Sequence, residues 1–314
     1  MATILLSEAS KLGYDDLSSG VAESIATANG LLGILPFNTV QGNAYAYNRE
    51  GTPGNVKSMA IGGSTSDVKT QATWTQVTQG LTSIIGDAEV NSLIVAQGVG
   101  TTAGADPVAA AIASKAKQVG REYMRMVAVG NATTPTSSVS GVTNTQEFDG
   151  LEALLAGSAF AGQNIAGADA ALTFELLDAM LHKILVGDPQ FIMAHSAGVR
   201  KIMSLLRASG GVTYMDVAGV QVPQYNGVPI IRNDFLTADT SATAGTQVSI
   251  YAGSFDDGTR TGGLSGIIPT VGGVQVQGVG PAEAGDYDIW RVKMYGGFAV
   301  HSVLSVAALN KVTV

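Results

Sequence analysis

Apolar side chains recur along this chain with two periods, and one long segment keeps neither. In residues 15–29, Leu17, Val21 and Ile25 fall at four-residue steps, the stripe of a short helix that Asn29-Gly30 stops. Residues 37–72 hold five glycines, the alternating Tyr45 and Tyr47, and few large apolar side chains beyond Val56, Met59 and Ile61. A two-stranded arm of this composition has no face of its own to bury, so it must lie on something else or move. Residues 73–85 (TWTQVTQGLTSII) read as the returning strand. Asp106-Pro107 then opens the longest helix, with Asp as N-cap and Pro at the first helical position. Ile112, Ala116, Val119, Tyr123 and Met126 form its apolar stripe, while Lys115, Lys117, Arg121, Glu122 and Arg125 share the remaining faces. Gly130-Asn131 ends it after about 24 residues, or ~36 Å.

Downstream, 132–146 is a Ser/Thr loop, and Leu172, Leu176, Met180 and Ile184 make one face of a helix over 172–186, stopped by Gly187 and Pro189. Residues 187–211 (GDPQFIMAHSAGVRKIMSLLRASGG) read as a strand, a sharp turn and a helix. Two short strands flank Asn226-Gly227 within 212–236, a polar loop covers 237–246, and 248–255 is a buried strand. The tail DYDIWRVKMYGGFAVHSVLSVAALNKVTV predicts two long antiparallel strands joined at Gly296-Gly297. No internal repeat or heptad run is present. The order of elements is that of an α+β protein, not the repeated βαβ of a doubly wound enzyme.

Composition sharpens this. Of 314 residues, 46% are hydrophobic, enough for a sizeable core, but only 13% are charged, about half the usual share of ~25%. Glycine, at 40 residues, is nearly twice its usual ~7%. So little charged surface implies either extensive burial against other copies or a sheet-rich monomer with many glycine turns. The net charge of −8 comes without a basic stripe, so tight clamping of nucleic acid phosphates is not expected. There are no cysteines, which removes disulfides, zinc thiolates and thiol catalysis. The N-terminus shows no basic region followed by a long apolar core, and the longest apolar run, 298–309, is too short and polar to span a bilayer.

The candidate chemistry centres on Ala194-His195-Ser196-Ala197-Gly198, one residue from the G-x-S-x-G nucleophile elbow. Asp234, Asp256 or Asp286 and then His301 follow in the order a hydrolase triad needs. Against this, few βα units precede the turn, His301 lies within an alternating strand, and Ala194 stands where close packing favours glycine. Ser196 is also placed to cap the helix carrying Val199, Ile202, Met203 and Leu206. His182 sits near a helix C-terminus, where positive charge is favourable. No histidine pair has metal-ligand spacing. Asp256-Asp257-Gly258 and Asp286-x-Asp288 lack the full calcium-loop pattern and read as turns. No phosphate-binding glycine motif appears. Lys57 and Lys69 on the arm are solvated or contact residues. No cofactor or metal is expected.

With these elements in place, the chain resembles the major capsid proteins of tailed bacteriophages, with the Hong-Kong-97-type fold. The likeness covers nearly the whole chain as a pattern, not a single motif. Residues 1–36 resemble the N-terminal arm and 37–73 the extended hairpin loop. The helix over 106–131, ending in MVAVGN, resembles the spine helix. LLDAMLHKILVGDPQFIMAHSAGVRKIMSLLRASGG resembles the helix, strand and helix of the axial domain, where Ser196 would cap the last helix. NGVPIIRNDF and IYAGSFDDG resemble the strands that follow. The tail resembles the peripheral-domain strands along the spine. The resemblance implies an N-arm (1–36), a hairpin (37–73), a peripheral domain (74–147 and 285–314) and an axial domain (148–284).

It further implies a non-enzymatic protein that self-assembles as hexamers and pentamers into an icosahedral head around double-stranded DNA. Tyr45, Tyr47, Arg49, Glu50 and Lys57 are the expected subunit contacts. Portal, scaffolding and decoration proteins are the further partners, without sequence-specific DNA binding and without a membrane. The location is the virion shell, assembled in the host bacterial cytoplasm. An arm beginning almost at Met1 implies that scaffolding is a separate protein or is not needed, and no cross-linking constellation is assigned. Two alternatives stay open: the shell of an encapsulin-type nanocompartment, and a serine hydrolase using Ser196.

Overall fold

A computed structural model of the chain describes residues 31, 33–42, 44–64, 66–96, 107–137, 141–167, 169–217, 219–240, 245–270, 273–283 and 285–314. The helix expected over 15–29 and the N-cap expected at Asp106 lie outside the described residues.

The long helix is present as α2 (Pro107–Val129), and Ala116, Val119, Tyr123 and Met126 are buried as its spacing requires. It packs on β4 (Thr82–Asn91) and β14 (Tyr287–Val300), which pair antiparallel from Thr82↔Gly296 to Asn91↔Tyr287. Inward positions of β4 alternate as the pleat demands, with Thr82, Ile84, Ala88 and Val90 buried. On its other edge β14 pairs with β13 (Val274–Pro281). Its C-terminal end pairs with β12 (Leu264–Pro269), which runs parallel to β1 (Phe37–Val40). These five strands form the first sheet.

The tail differs from the sequence expectation. β14 runs unbroken through Gly296-Gly297, and the chain turns only afterwards, through a 3₁₀ turn at Val303–Ser305, before β15 (Val306–Thr313) enters the other sheet. The glycine pair marks close approach, not a turn. A Cβ on Gly296 would lie 2.8 Å from Tyr123 Cε2, and one on Gly297 2.9 Å from the Gly80 carbonyl oxygen.

The second, eight-stranded sheet has the order β5-β15-β11-β6-β9-β8-β7, with β10 beside β11. Its members are β5 (Asn164–Ala166), β6 (Phe191–Ala194), β7 (Thr213–Val217), β8 (Val220–Tyr225), β9 (Val228–Arg232), β10 (Ala238–Asp239), β11 (Gln247–Gly253) and β15. The β8–β9 turn uses Asn226 and Gly227 at φ 50° and 81°, the left-handed pair that Asn-Gly supplies in a two-residue hairpin. The helix expected over 172–186 is shorter, α4 (Phe174–His182), because Thr173 caps it by accepting from the Leu176 amide. That start rotates the buried face, so Leu177 and Met180 are buried and Leu176 is half-buried. α5 (Ser196–Ser209) covers β11 and β9 through Ile202 and its half-buried apolar neighbours. Two short helices, α1 (Ser92–Ala96) and α3 (Leu151–Ala156), complete the set among the described residues.

Sheet membership does not follow the expected division of the chain. Residues 148–284 give β12 and β13 to the first sheet, and 285–314 give β15 to the second.

Glu122 and Arg125, expected on open faces of α2, are buried together with Glu147. Arg125 Nε donates to Glu122 at 2.9 Å and its terminal nitrogen to Glu147, while Thr136 accepts from Arg125 through its hydroxyl at 2.9 Å and its carbonyl at 3.0 Å. Asn144 donates to both carboxylates, at 2.8 and 2.9 Å. The 131–147 loop is thereby fastened to the end of the helix.

Two outcomes follow from this packing. A Cβ on Gly266 would come within 2.5 Å of the Phe37 ring and 2.8 Å of the Tyr123 hydroxyl, so Gly266→Ala is expected to cost about 1–3 kcal/mol by chemical denaturation. Arg125→Met leaves two buried carboxylates without their cation and is expected to cost about 3–5 kcal/mol in the same assay.

Candidate assembly surface and hairpin root

β2 (Ala44–Glu50) and β3 (Trp74–Gly80) form a two-stranded ladder from Ala44↔Gly80 to Glu50↔Trp74. β2 follows β1 closely, and β3 passes through Leu81 directly into β4, so the stretch expected as one strand over 73–85 serves two sheets. Beyond the ladder the neck is tied by Gly51 N to Thr73 O at 2.8 Å and Asn55 N to the Thr70 hydroxyl at 2.7 Å. Past the neck almost every described residue is exposed. Val56 is 94% exposed, Ile61 fully so, and Met59 and Trp74 are also open. These are large apolar side chains that no described residue covers.

The base of the hairpin is built differently. Tyr45, Tyr47 and Arg49 alternate on one face of β2, which the strand period turns toward the end of β14. The Tyr47 hydroxyl donates to Val300 O at 2.8 Å. Arg49 donates to the carbonyls of Val300 and His301, the latter at 3.1 Å, and its guanidinium lies 5.0 Å over the Phe160 ring. Tyr45 is buried, its hydroxyl 2.9 Å from His301 Nε2. Burial pushes both phenols above their ordinary range.

Of the expected contact residues, Tyr45, Tyr47 and Arg49 have their polar groups engaged within their own chain, because the period-2 face that holds them closes on β14. Glu50 and Lys57 are exposed on the arm. Sequence reasoning missed the partners of this clasp, His301, Asp256, Asn38 and Arg260. Asp256 is buried and accepts from Asn38 Nδ2 at 2.7 Å and from the amides of Gly258 and Arg260 at 3.2 and 3.0 Å. Its loop is the turn expected from Asp-Asp-Gly. The Tyr-x-Tyr-x-Arg alternation was the local signal of the clasp, since His301, Asp256 and Arg260 lie more than two hundred residues from Tyr45.

The hydrolase constellation does not assemble. Ser196 begins α5 beside Asp234, whose carboxyl is held below its ordinary range first by the Arg232 guanidinium at 3.0 Å and also by the Ser196 hydroxyl. His301 is engaged at the hairpin root with Tyr45 and Gly263. The capping role expected for Ser196 belongs to His195. That residue keeps extended backbone at the end of β6, and its Nδ1 accepts from the Ala197 amide at 3.2 Å. Among the described residues no cluster of three His, Asp or Glu side chains is placed to hold a metal, and no helix is long and apolar enough to cross a membrane.

No family profile and no curated protein matches this sequence. Solved structures do match along nearly the full chain. The holo-SrpI encapsulin complex from Synechococcus elongatus superposes with a TM-score of 0.67 at 15% identity, covering 90% of this chain and 87% of that one. The capsid of an empty GTA particle gives 0.62 at 11% identity over the whole of both chains. A chain of Mycobacterium phage Bobi gives 0.56 at 15% identity, covering 98% and 99%. The chain has the Hong-Kong-97-type fold. Within it, α2 is the spine helix and the β2–β3 arm the extended hairpin.

The cap assignment yields a direct comparison. His195→Ala is expected to lower stability by about 1 kcal/mol and Ser196→Ala by no more than about 0.5 kcal/mol in parallel denaturation curves.

Proposed function

We propose that this chain is the major capsid protein of a tailed bacteriophage, assembling as hexamers and pentamers into an icosahedral head around double-stranded DNA. The observation that carries this reading is the exposed hairpin of a chain that matches a particle capsid over the full length of both. Val56, Met59, Ile61 and Trp74 need a surface that the described residues of their own chain do not supply, and a second copy supplies one. Glu50 and Lys57, on the same arm, are the contact residues in this reading. Obligate contacts of this kind bury about 2,000 Å² or more, and closure multiplies weak contacts. The sheets suggest a peripheral unit of α2 with the first sheet and an axial unit of the second.

The low charged fraction and net charge of −8 suit a wall that meets other copies and does not clamp DNA. Portal, scaffolding and decoration proteins are the additional partners, the host cytoplasm is the place of assembly, and the protein has no catalytic role. A second reading, the shell of a protein-filled nanocompartment, is favoured by the TM-score of 0.67 to an encapsulin complex.

Negative-stain electron microscopy with light scattering on the purified protein tests both. Closed shells or ring-shaped capsomers are the expected result, and shell diameter separates a large head from a small compartment. A uniform monomer or dimer across salt and crowding conditions would overturn the assembly reading.

A further inference from the structure

Of the three histidines, His301 alone is buried, at 3% exposure. It lies where the hairpin and the two sheets meet, just after β14 and shortly before β15. Both ring nitrogens are engaged. The Gly263 carbonyl, 3.3 Å from Nδ1, can only accept, so Nδ1 carries the hydrogen. Nε2 is then the acceptor for the Tyr45 hydroxyl at 2.9 Å. The Tyr45 ring meets the imidazole edge-on, with centroids 5.8 Å apart, and the Tyr47 ring lies 5.2 Å away.

Among the described residues the charges around this ring are few. β2 brings Arg49 and the phenols of Tyr45 and Tyr47, and the loop before β12 brings Asp256 and Arg260, the latter 5.9 Å over the Tyr45 ring. Two guanidinium groups thus face one carboxylate, which already accepts from Asn38 and two amides. A second ring proton would sit on Nε2, opposite the Tyr45 hydroxyl hydrogen. To keep the contact the phenol would have to reverse its bond, and its own hydrogen would lose its acceptor.

We propose that His301 is an acid-sensitive latch for the hairpin. The neutral imidazole holds β2 against the end of β14, and its protonation releases the root. Burial first, then Arg260 and Arg49, hold the closed-state proton affinity below the ordinary value, against the opposing pull of Asp256 and the Gly263 carbonyl. An open root returns the ring to water, where it titrates near about 6.5. The latch is therefore at full strength above that value and weakens as pH falls below it, until the closed form also takes up the proton. It is a property of the single subunit, so its test does not depend on assembly.

Hydrogen exchange on the full chain, corrected for intrinsic rates, reads the latch directly. Between about pH 7.5 and pH 5, opening of peptides covering 44–50 is expected to accelerate relative to 306–313, with a limiting slope of about tenfold per pH unit for one proton. In His301→Gln, which cannot titrate, the same peptides are expected to keep a constant ratio to 306–313. If that variant fails to fold, Tyr45→Phe, which removes the bond that holds the neutral ring to β2, is expected to raise opening of 44–50 at neutral pH. Wild-type protection that does not change with pH, an equal slope in folded His301→Gln, or unchanged neutral-pH opening in Tyr45→Phe overturns the proposal.

Discussion

The Tyr123 phenol reaches from the C-terminal third of α2 to the Gly297 carbonyl in β14, a fully buried bond of 3.0 Å, and this contact sets how closely the helix lies on the first sheet. Burial pushes that hydroxyl well above its ordinary range, so it remains a donor. Room for the ring is made by Gly266 and Gly296, where any Cβ would collide with it. The same closeness lets β14 continue as one strand past the helix and present the Val300 and His301 carbonyls to the hairpin. Helix, sheet and hairpin root are thus three consequences of one tightly packed strand.

From that strand outward the molecule changes character. Around β14 the packing is close, and the buried Arg125 is held by Glu122, Glu147 and Thr136. Past the neck at Gly51 and Thr73 almost every described residue is exposed, and the apolar ones face outward. A folded body whose arm is left open by the described residues suits the proposed subunit, which completes its packing on a neighbour.

Much of this was legible in the sequence. The period of Ala116, Val119, Tyr123 and Met126 located α2, Asn226-Gly227 located a hairpin turn, and the glycine-rich segment after Phe37 identified the arm. The failures share a cause. Gly296-Gly297 looked like a turn because a glycine needed for a neighbouring ring is indistinguishable, in one dimension, from a glycine needed for φ. Leu176 and Leu177 exchanged places because a cap at Thr173 fixes helix phase more finely than apolar spacing does. Glu122 and Arg125 were placed only on the faces outside the apolar stripe, and their burial was not legible because their partners Thr136, Asn144 and Glu147 are brought to them by tertiary structure. The clasp of Tyr45 with His301 spans 256 positions, and no local pattern encodes it.

The central claim is that the arm beyond Gly51 and Thr73 serves contact between copies and not the fold of its own chain. The most direct measurement replaces residues 53–71 with a short Gly-Ser turn and compares assembly state and unfolding stability with the intact protein. The account predicts a variant with nearly unchanged unfolding stability that no longer forms closed shells. A variant that still closes the same shells, or one whose core unfolds, would contradict it.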